Sequence, residues 1–165
     1  MRRKEREVTD IKEIREVLDI CKVCRLGIVD EGGAYIVPLN YGYRLEDGVL
    51  TLYFHGAKEG KKLDLIRKNP EVGFEMDGRH ELMEGDRACQ YSYYFASVIG
   101  KGKAVIVEDP EEKLCALEKL MKHQTGKDFS EFRENPRLEQ TVGILKVEAD
   151  IYNRQVKEKL QNLST

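Results

Sequence analysis

Apolar residues recur at Ile11, Ile14, Val17, Leu18 and Cys21, the spacing of one helix face, and Asp10 with Glu13 three residues later has capping-box form. The pattern predicts a first helix over roughly 10–21. The period then changes. VCRLGIVD is an extended run stopped by Asp30-Glu31-Gly32-Gly33, and in AYIVPLNYGYRLE the residues Tyr35, Val37, Leu39, Tyr41 and Tyr43 alternate onto one face of a strand. Glu46-Asp47-Gly48 turns the chain into VLTLYFHG. Short connections of this kind imply antiparallel hairpins.

A glycine-punctuated loop leads next into KKLDLIRK, an amphipathic helix closed by Asn69-Pro70. EVGFEMD reads as a strand, and residues 78–90 (GRHELMEGDRACQ) as a polar loop able to act as a flap. YYFASVIGKGKAVIVED is a long strand bent at glycines, the kind used where a sheet curls. Asp109-Pro110-Glu111 opens another helix with Leu114, Leu117, Leu120 and Met121 on its apolar face and Gly126 as its stop. TVGILKVEADIY is the last strand. The expected class is α+β, mainly β, with antiparallel strands curled into a barrel and helices outside.

Composition narrows the partners. The chain has 165 residues, about one domain's worth, and neither repeats nor low-complexity linkers divide it. A net charge of −2, with 35% charged residues, supplies no large positive field, so nucleic acid is not an expected partner. No apolar run is long enough to span a bilayer, and MRRKEREVTD is charged where a secretion signal is apolar; the expectation is no membrane partner, a cytoplasmic location and reduced cysteines.

The chemistry concentrates in Tyr53 to Pro70, YFHGAKEGKKLDLIRKNP. A helix N-terminus offers unpaired N–H groups and the positive end of its dipole, Lys61 and Lys62 add full charge there, and Gly56 and Gly60 allow close approach of an anion. A phosphorylated small molecule is the ligand this arrangement suits. A surface helix whose lysines only face water is the other reading of the same residues.

Five stretches in order, MRRKEREVTD, CRLGIVDEGGAYIVPLNYGY, LYFHGAKEGKKLDLIRKNPEVGFE, ACQYSYYFASVIGKGKAVIV and EKLCALEKLMKHQTGKDF, resemble the 5-nitroimidazole-resistance branch of the pyridoxamine 5′-phosphate oxidase-like split-barrel flavoproteins. The resemblance runs from residue 1 to about 148. It implies one flavin-binding domain over 1–165, a six-stranded antiparallel split barrel with flanking helices, and a homodimer with flavin mononucleotide (FMN; FAD is possible) between the subunits. Gly60-Lys61-Lys62 is similar to the family's phosphate clamp, Lys62 being the foremost ligand and Lys61 the next. Val37, Pro38, Leu39, Asn40 and Tyr41 match the strand that runs along the flavin ring edge; Ser97 and Val98 match further flavin contacts or belong to a plain core strand.

His55 matches a histidine placed near the flavin's reactive face, where an imidazole either donates a proton to a reducible substrate or only contacts the cofactor. Departures from the family limit the transfer. Gly60-Lys61 stands where the oxidases have Ser-Arg, the tail ADIYNRQVKEKL lacks their substrate signature, and Tyr152-Asn153-Arg154 replaces a Thr-Gly-Lys strand end. Pyridoxamine phosphate oxidation is therefore not expected.

Cys21-Lys22-Val23-Cys24 has the spacing of a zinc or dithiol pair, but no second pair completes a metal site, and buried structural cysteines are the simpler reading. Tyr91, Tyr93, Tyr94 and Phe95 either cover a ligand or fill an interface. No Gly-x-Gly-x-x-Gly follows a strand, so a nicotinamide donor would have to share the flavin groove. Two classes of function stay open: a flavin-dependent reductase acting on a nitroaromatic or other small electrophile, and a flavin-binding or redox-sensing module without turnover.

Overall fold

The computed structural model describes residues 8–129, 131–134 and 137–156, and the side chains among them except 138, 139 and 150–156. Of the stretches singled out in the sequence, MRRKERE and the side chains of Tyr152-Asn153-Arg154 lie outside the described residues. Six strands, β1 (Val23–Asp30), β2 (Gly33–Glu46), β3 (Val49–Gly56), β4 (Glu71–Met83), β5 (Ser92–Val107) and β6 (Gly143–Val156), form one antiparallel sheet in the order β1-β2-β3-β6-β5-β4. Pairing of β1 with β4 closes the ring, giving a split barrel flanked by helices.

Local rules account for the hairpins and the long helices. Asp47 (φ 50°) and Gly48 (φ 81°) make the two-residue turn with both φ positive that matches the twist of adjoining strands, between the pair Glu46 and Val49. Helix α1 (Ile11–Ile20) starts where the Asp10 carboxylate accepts the Lys12 N–H at 2.9 Å. Helix α3 (Pro110–Thr125) starts likewise, with Asp109 accepting the Glu112 N–H at 2.8 Å, and ends at Gly126 in the left-handed conformation, φ 74°. Helix α2 (Lys61–Lys68) lies between β3 and β4, and two short helices, α4 (Glu131–Glu134) and α5 (Arg137–Thr141), precede β6.

Alternation decides what is inside. Leu26 and Ile28 of β1, Tyr41 and Leu45 of β2, Leu50, Leu52 and Phe54 of β3, with Phe74, Met76, Val98 and Val147, fill the barrel. Ile14, Val17 and Leu18 of α1 and Leu65 and Ile66 of α2 join the same cluster. Helix α3 instead covers the outer surface, where Ala116 and Leu117 pack with Tyr53, Val107 and Ile144. Its approach to β2 is limited by Gly42: a Cβ there would stand 2.6 Å from the Leu120 Cα and the Lys119 carbonyl carbon, so the backbones touch only because this residue has no side chain.

One expectation is corrected. Residues 78–90 are not a polar loop throughout, because β4 continues to Met83 and pairs Glu81 with Tyr94, Leu82 with Tyr93 and Met83 with Ser92. A register shift between Gly78 and Glu81, with Arg79 at φ 56°, precedes this extension. Its residues are exposed or half-buried on both faces, so no apolar alternation marks it, and the aromatic partners on β5 supply the pairing that composition conceals.

Candidate functional site: a lysine cleft at the start of α2

Strand β2 has different neighbours along its length. Residues 33–40 pair with β1, whereas pairing with β3 begins at Tyr41–Phe54 and runs to Glu46–Val49. On the β3 side, the segment 33–40 is an edge, and this is the split in the barrel. Beyond Phe54, β3 stays on β6 through His55–Ile144 and Gly56–Gly143, then gives way to the loop entering α2.

Gly60, at φ 125°, is the N-cap residue of α2, and no side chain caps this helix end. Its carbonyl accepts the N–H groups of Leu63 (2.9 Å) and Asp64 (3.2 Å). Lys62 folds back from the first turn over the end of β3, with Nζ 3.1 Å from where a Cβ on Gly56 would stand. The side chain is half-buried, burial lowers its pKa below the ordinary lysine value, and among the described residues its ammonium meets no carboxylate.

Lys61 points elsewhere. Its Nζ lies 2.7 Å from Asp30 Oδ2 and 4.9 Å from the centre of the Tyr35 ring. Tyr35, Val37, Gly60, Lys61 and Lys62 border a cleft of about 200 Å³ across the split. A phosphate monoester suits this donor set, which comprises a desolvated ammonium without a counter-ion, an uncapped helix start and glycine backbone at Gly56 and Gly60.

The other sequence-derived residues are dispersed. His55 is exposed on the outer face of β3, one residue from Gly56. Pro38 lies opposite Arg25 in the single-neighbour segment of β2, and Leu39 packs half-buried against the barrel interior. The Asn40 amide donates to the Lys22 carbonyl (3.0 Å) and Gln124 Oε1 (3.1 Å), so it is drawn to the end of α3. Tyr41 is buried inside the barrel, where its hydroxyl donates to the Leu18 carbonyl at 2.7 Å. Val98 is in the core; Ser97 is buried on the opposite face of β5, paired with Asp77. The structure thus gathers Val37, Gly60, Lys61 and Lys62, with His55 next to them along β3.

Sequence reasoning missed Asp30 as a partner of Lys61, and its only signal was an acid at a turn. Burial raises the Cys21 thiol to about 11 and the Cys24 thiol to about 12, which keeps both protonated near neutrality and favours a structural role. Among the described residues no cluster of His, Cys, Asp or Glu has the arrangement of a metal site, and no helix is long and apolar enough to cross a membrane.

A larger cleft, about 670 Å³, lies between α1, β2 and α3 and includes Arg15, Asp19, Tyr43, Lys22 and His123. Those side chains are engaged with one another and with the backbone: Tyr43 donates to Asp19 at 2.7 Å, and Lys22 Nζ reaches the carbonyls of Asp19 (2.8 Å) and His123 (2.7 Å). The smaller cleft, where the half-buried Lys62 makes no ion pair among the described residues, is the stronger candidate for a ligand.

A sequence profile of the pyridoxamine 5′-phosphate oxidase family matches residues 10–153. The chain belongs to this family. Within the fold it is 30% identical to a candidate 5-nitroimidazole antibiotic resistance protein of Bacteroides thetaiotaomicron, over 92% of this chain and 90% of that one, with a TM-score of 0.72. A FAD and heme binding protein of Mycobacterium smegmatis has the same fold at 13% identity, over 95% of this chain and 76% of that one, TM-score 0.75. A FAD-binding protein of Mesorhizobium loti has it at 23% identity, over 86% and 90%, TM-score 0.54. No curated protein matches the chain. The resemblance to the nitroimidazole-resistance branch therefore holds across nearly the whole chain, within this oxidase family.

Proposed function

We propose that the protein binds FMN non-covalently, with its terminal phosphate on Lys62 at the start of α2, and uses it as a reductase of small electrophiles such as nitroaromatics. The observation that carries this reading is the half-buried Lys62 ammonium, held over Gly56 without a carboxylate partner among the described residues. An unpaired desolvated charge is costly, and a bound phosphate offsets that cost. Family membership supports a flavin as the phosphate ester, and the FAD-binding names of two structural neighbours leave FAD as a second choice.

When bound, the flavin ring supplies the electron transfer. The chain's own residues hold and orient it. Lys62 fixes the phosphate, the β2 segment around Val37 and Pro38 offers backbone at the split for the ring edge, and exposed His55 supplies an imidazole able to pass a proton to a reduced substrate. A homodimer, with the groove shared by two subunits, fits the outer sheet face. There Val29 (53% exposed) and Ile36 (63% exposed) lie beside Gly27 and Gly73, which are neighbours across β1 and β4 and leave the surface flat.

The test is anaerobic: FMN-loaded protein is reduced with NADH or NADPH, then mixed with a nitroimidazole while the flavin absorbance is followed. Reoxidation coupled to loss of the nitro compound is expected. Failure to take up FMN or FAD overturns the reading. Uptake with no electron transfer to any acceptor leaves the alternative, a flavin-binding or redox-sensing module without turnover.

A further inference from the structure

The two adjacent lysines of the cleft do not have the same electrostatic role. Consecutive helix positions are rotated by about 100°, so the heads of Lys61 and Lys62 diverge. Lys62 turns toward Gly56 and makes no ion pair among the described residues, although Glu59 borders the same cleft, while Lys61 turns toward the β1–β2 turn and pairs with Asp30. Asp30 is itself held in place. It is the last residue of β1, its Oδ1 accepts the Glu31 N–H at 2.8 Å, and its Oδ2 receives Lys61 at 2.7 Å. The Lys61 hydrogen bond, followed by the Glu31 N–H, keeps its carboxyl below the usual carboxylate range. The Tyr35 ring lies under the same ammonium at 4.9 Å and gives Lys61 a second reason to stay.

We propose that Asp30 sets the strength of phosphate binding in this cleft by withholding Lys61, so that a phosphate ester is held by one lysine and exchanges with solution. This deepens the phosphate reading above and rests on it. For Lys61 to reach a phosphate it must leave both Asp30 and the Tyr35 ring, and the abandoned Asp30 carboxylate would then face the incoming dianion. Each step opposes tight binding. The carboxylate therefore acts as a specificity-determining residue that lowers affinity for the phosphate while leaving the rest of the ligand unaffected.

The Asp30→Asn variant tests this directly, because the amide retains the oxygen that accepts the Glu31 N–H and removes only the charge. Titrations with FMN and with riboflavin, which lacks the phosphate, separate the phosphate contribution from the ring contribution. Asp30→Asn is expected to tighten FMN about 3- to 5-fold, in the range of an exposed charge pair, with riboflavin unchanged and with a steeper salt dependence for FMN. The double variant Asp30→Asn/Lys61→Ala should lose that gain, which identifies the released lysine as its source. FMN affinity that is unchanged or weaker in Asp30→Asn, or a gain shared by riboflavin, overturns the proposal alone while Lys62→Ala still weakens FMN. FMN binding indifferent to Lys62→Ala overturns the phosphate reading and the proposal together.

Discussion

The Nζ of Lys62 rests 3.1 Å from where a side chain on Gly56 would begin, so the absence of a Cβ at the end of β3 makes room for the charge at the start of α2. Two substitutions probe that relationship. Lys62→Ala should weaken FMN by about 10- to 100-fold, the range of a charge-assisted hydrogen bond worth roughly 1.5–3 kcal/mol, while Lys68→Ala, exposed in the last turn of α2, should change it little. Gly56→Val should reproduce much of the Lys62→Ala loss by displacing the ammonium. Fluorescence titration of FMN reads both, and equal losses for Lys62→Ala and Lys68→Ala would mean a diffuse positive field rather than a site.

Ile36 stands opposite Gly27 on the outer sheet face and is among the most exposed large apolar residues of the chain. If a second copy covers it, Ile36→Asp should shift the protein toward monomer on a sizing column, and FMN affinity should fall with it because a ligand of the dimer alone is coupled to assembly. A monomer with full FMN affinity would place the cofactor within one chain.

Gly42 is tested through stability. Gly42→Ala drives a methyl group into the Leu120 and Lys119 backbone, which cannot move without lifting α3 from β2. A loss of about 1–3 kcal/mol or more is expected in urea unfolding, as for overpacked cores. Gly32→Ala, where an added Cβ meets nothing within 4 Å, is the control and should be nearly silent.

His123 governs part of the acid response. Its Nδ1 is 2.7 Å from the Tyr41 carbonyl and its Nε2 is 2.9 Å from the Leu18 carbonyl, yet burial lowers its pKa more than these two acceptors raise it. The folded state then binds the proton less readily than the unfolded state, whose histidine titrates near about 6.5. Stability is therefore expected to be constant above that pH and to decline as pH falls below it. Melting curves between pH 7.5 and 5 should show the decline, and His123→Gln should flatten it; an unchanged profile in the variant would assign the acid response to other groups.

Much of the local framework was legible because its causes lie within a few residues of one another. The Asp10 and Asp109 caps, Gly126 at a helix end, the Asp47-Gly48 turn and the alternating faces of β2 all follow from such short-range rules, and the structure has each of them. The extension of β4 through Met83 was hidden because neither of its faces is buried, so strand pairing there is decided by Tyr93 and Tyr94 from a distant segment.

The sequence by itself determined that two lysines would stand at a helix start behind a glycine loop, since adjacency, capping and backbone freedom are local properties. Only the tertiary structure decided which lysine is available. Asp30 comes to Lys61 from the end of β1 through the curl of the sheet, and Gly56 comes under Lys62 because β3 holds β6 beyond the point where it leaves β2. The same long-range packing set the Tyr41 hydroxyl on the Leu18 carbonyl and bound Asn40 to α3, partners that the strand pattern alone could not name. Charge pairing acts through space at a few ångströms, and which charges come that close depends on how the strands close into a barrel.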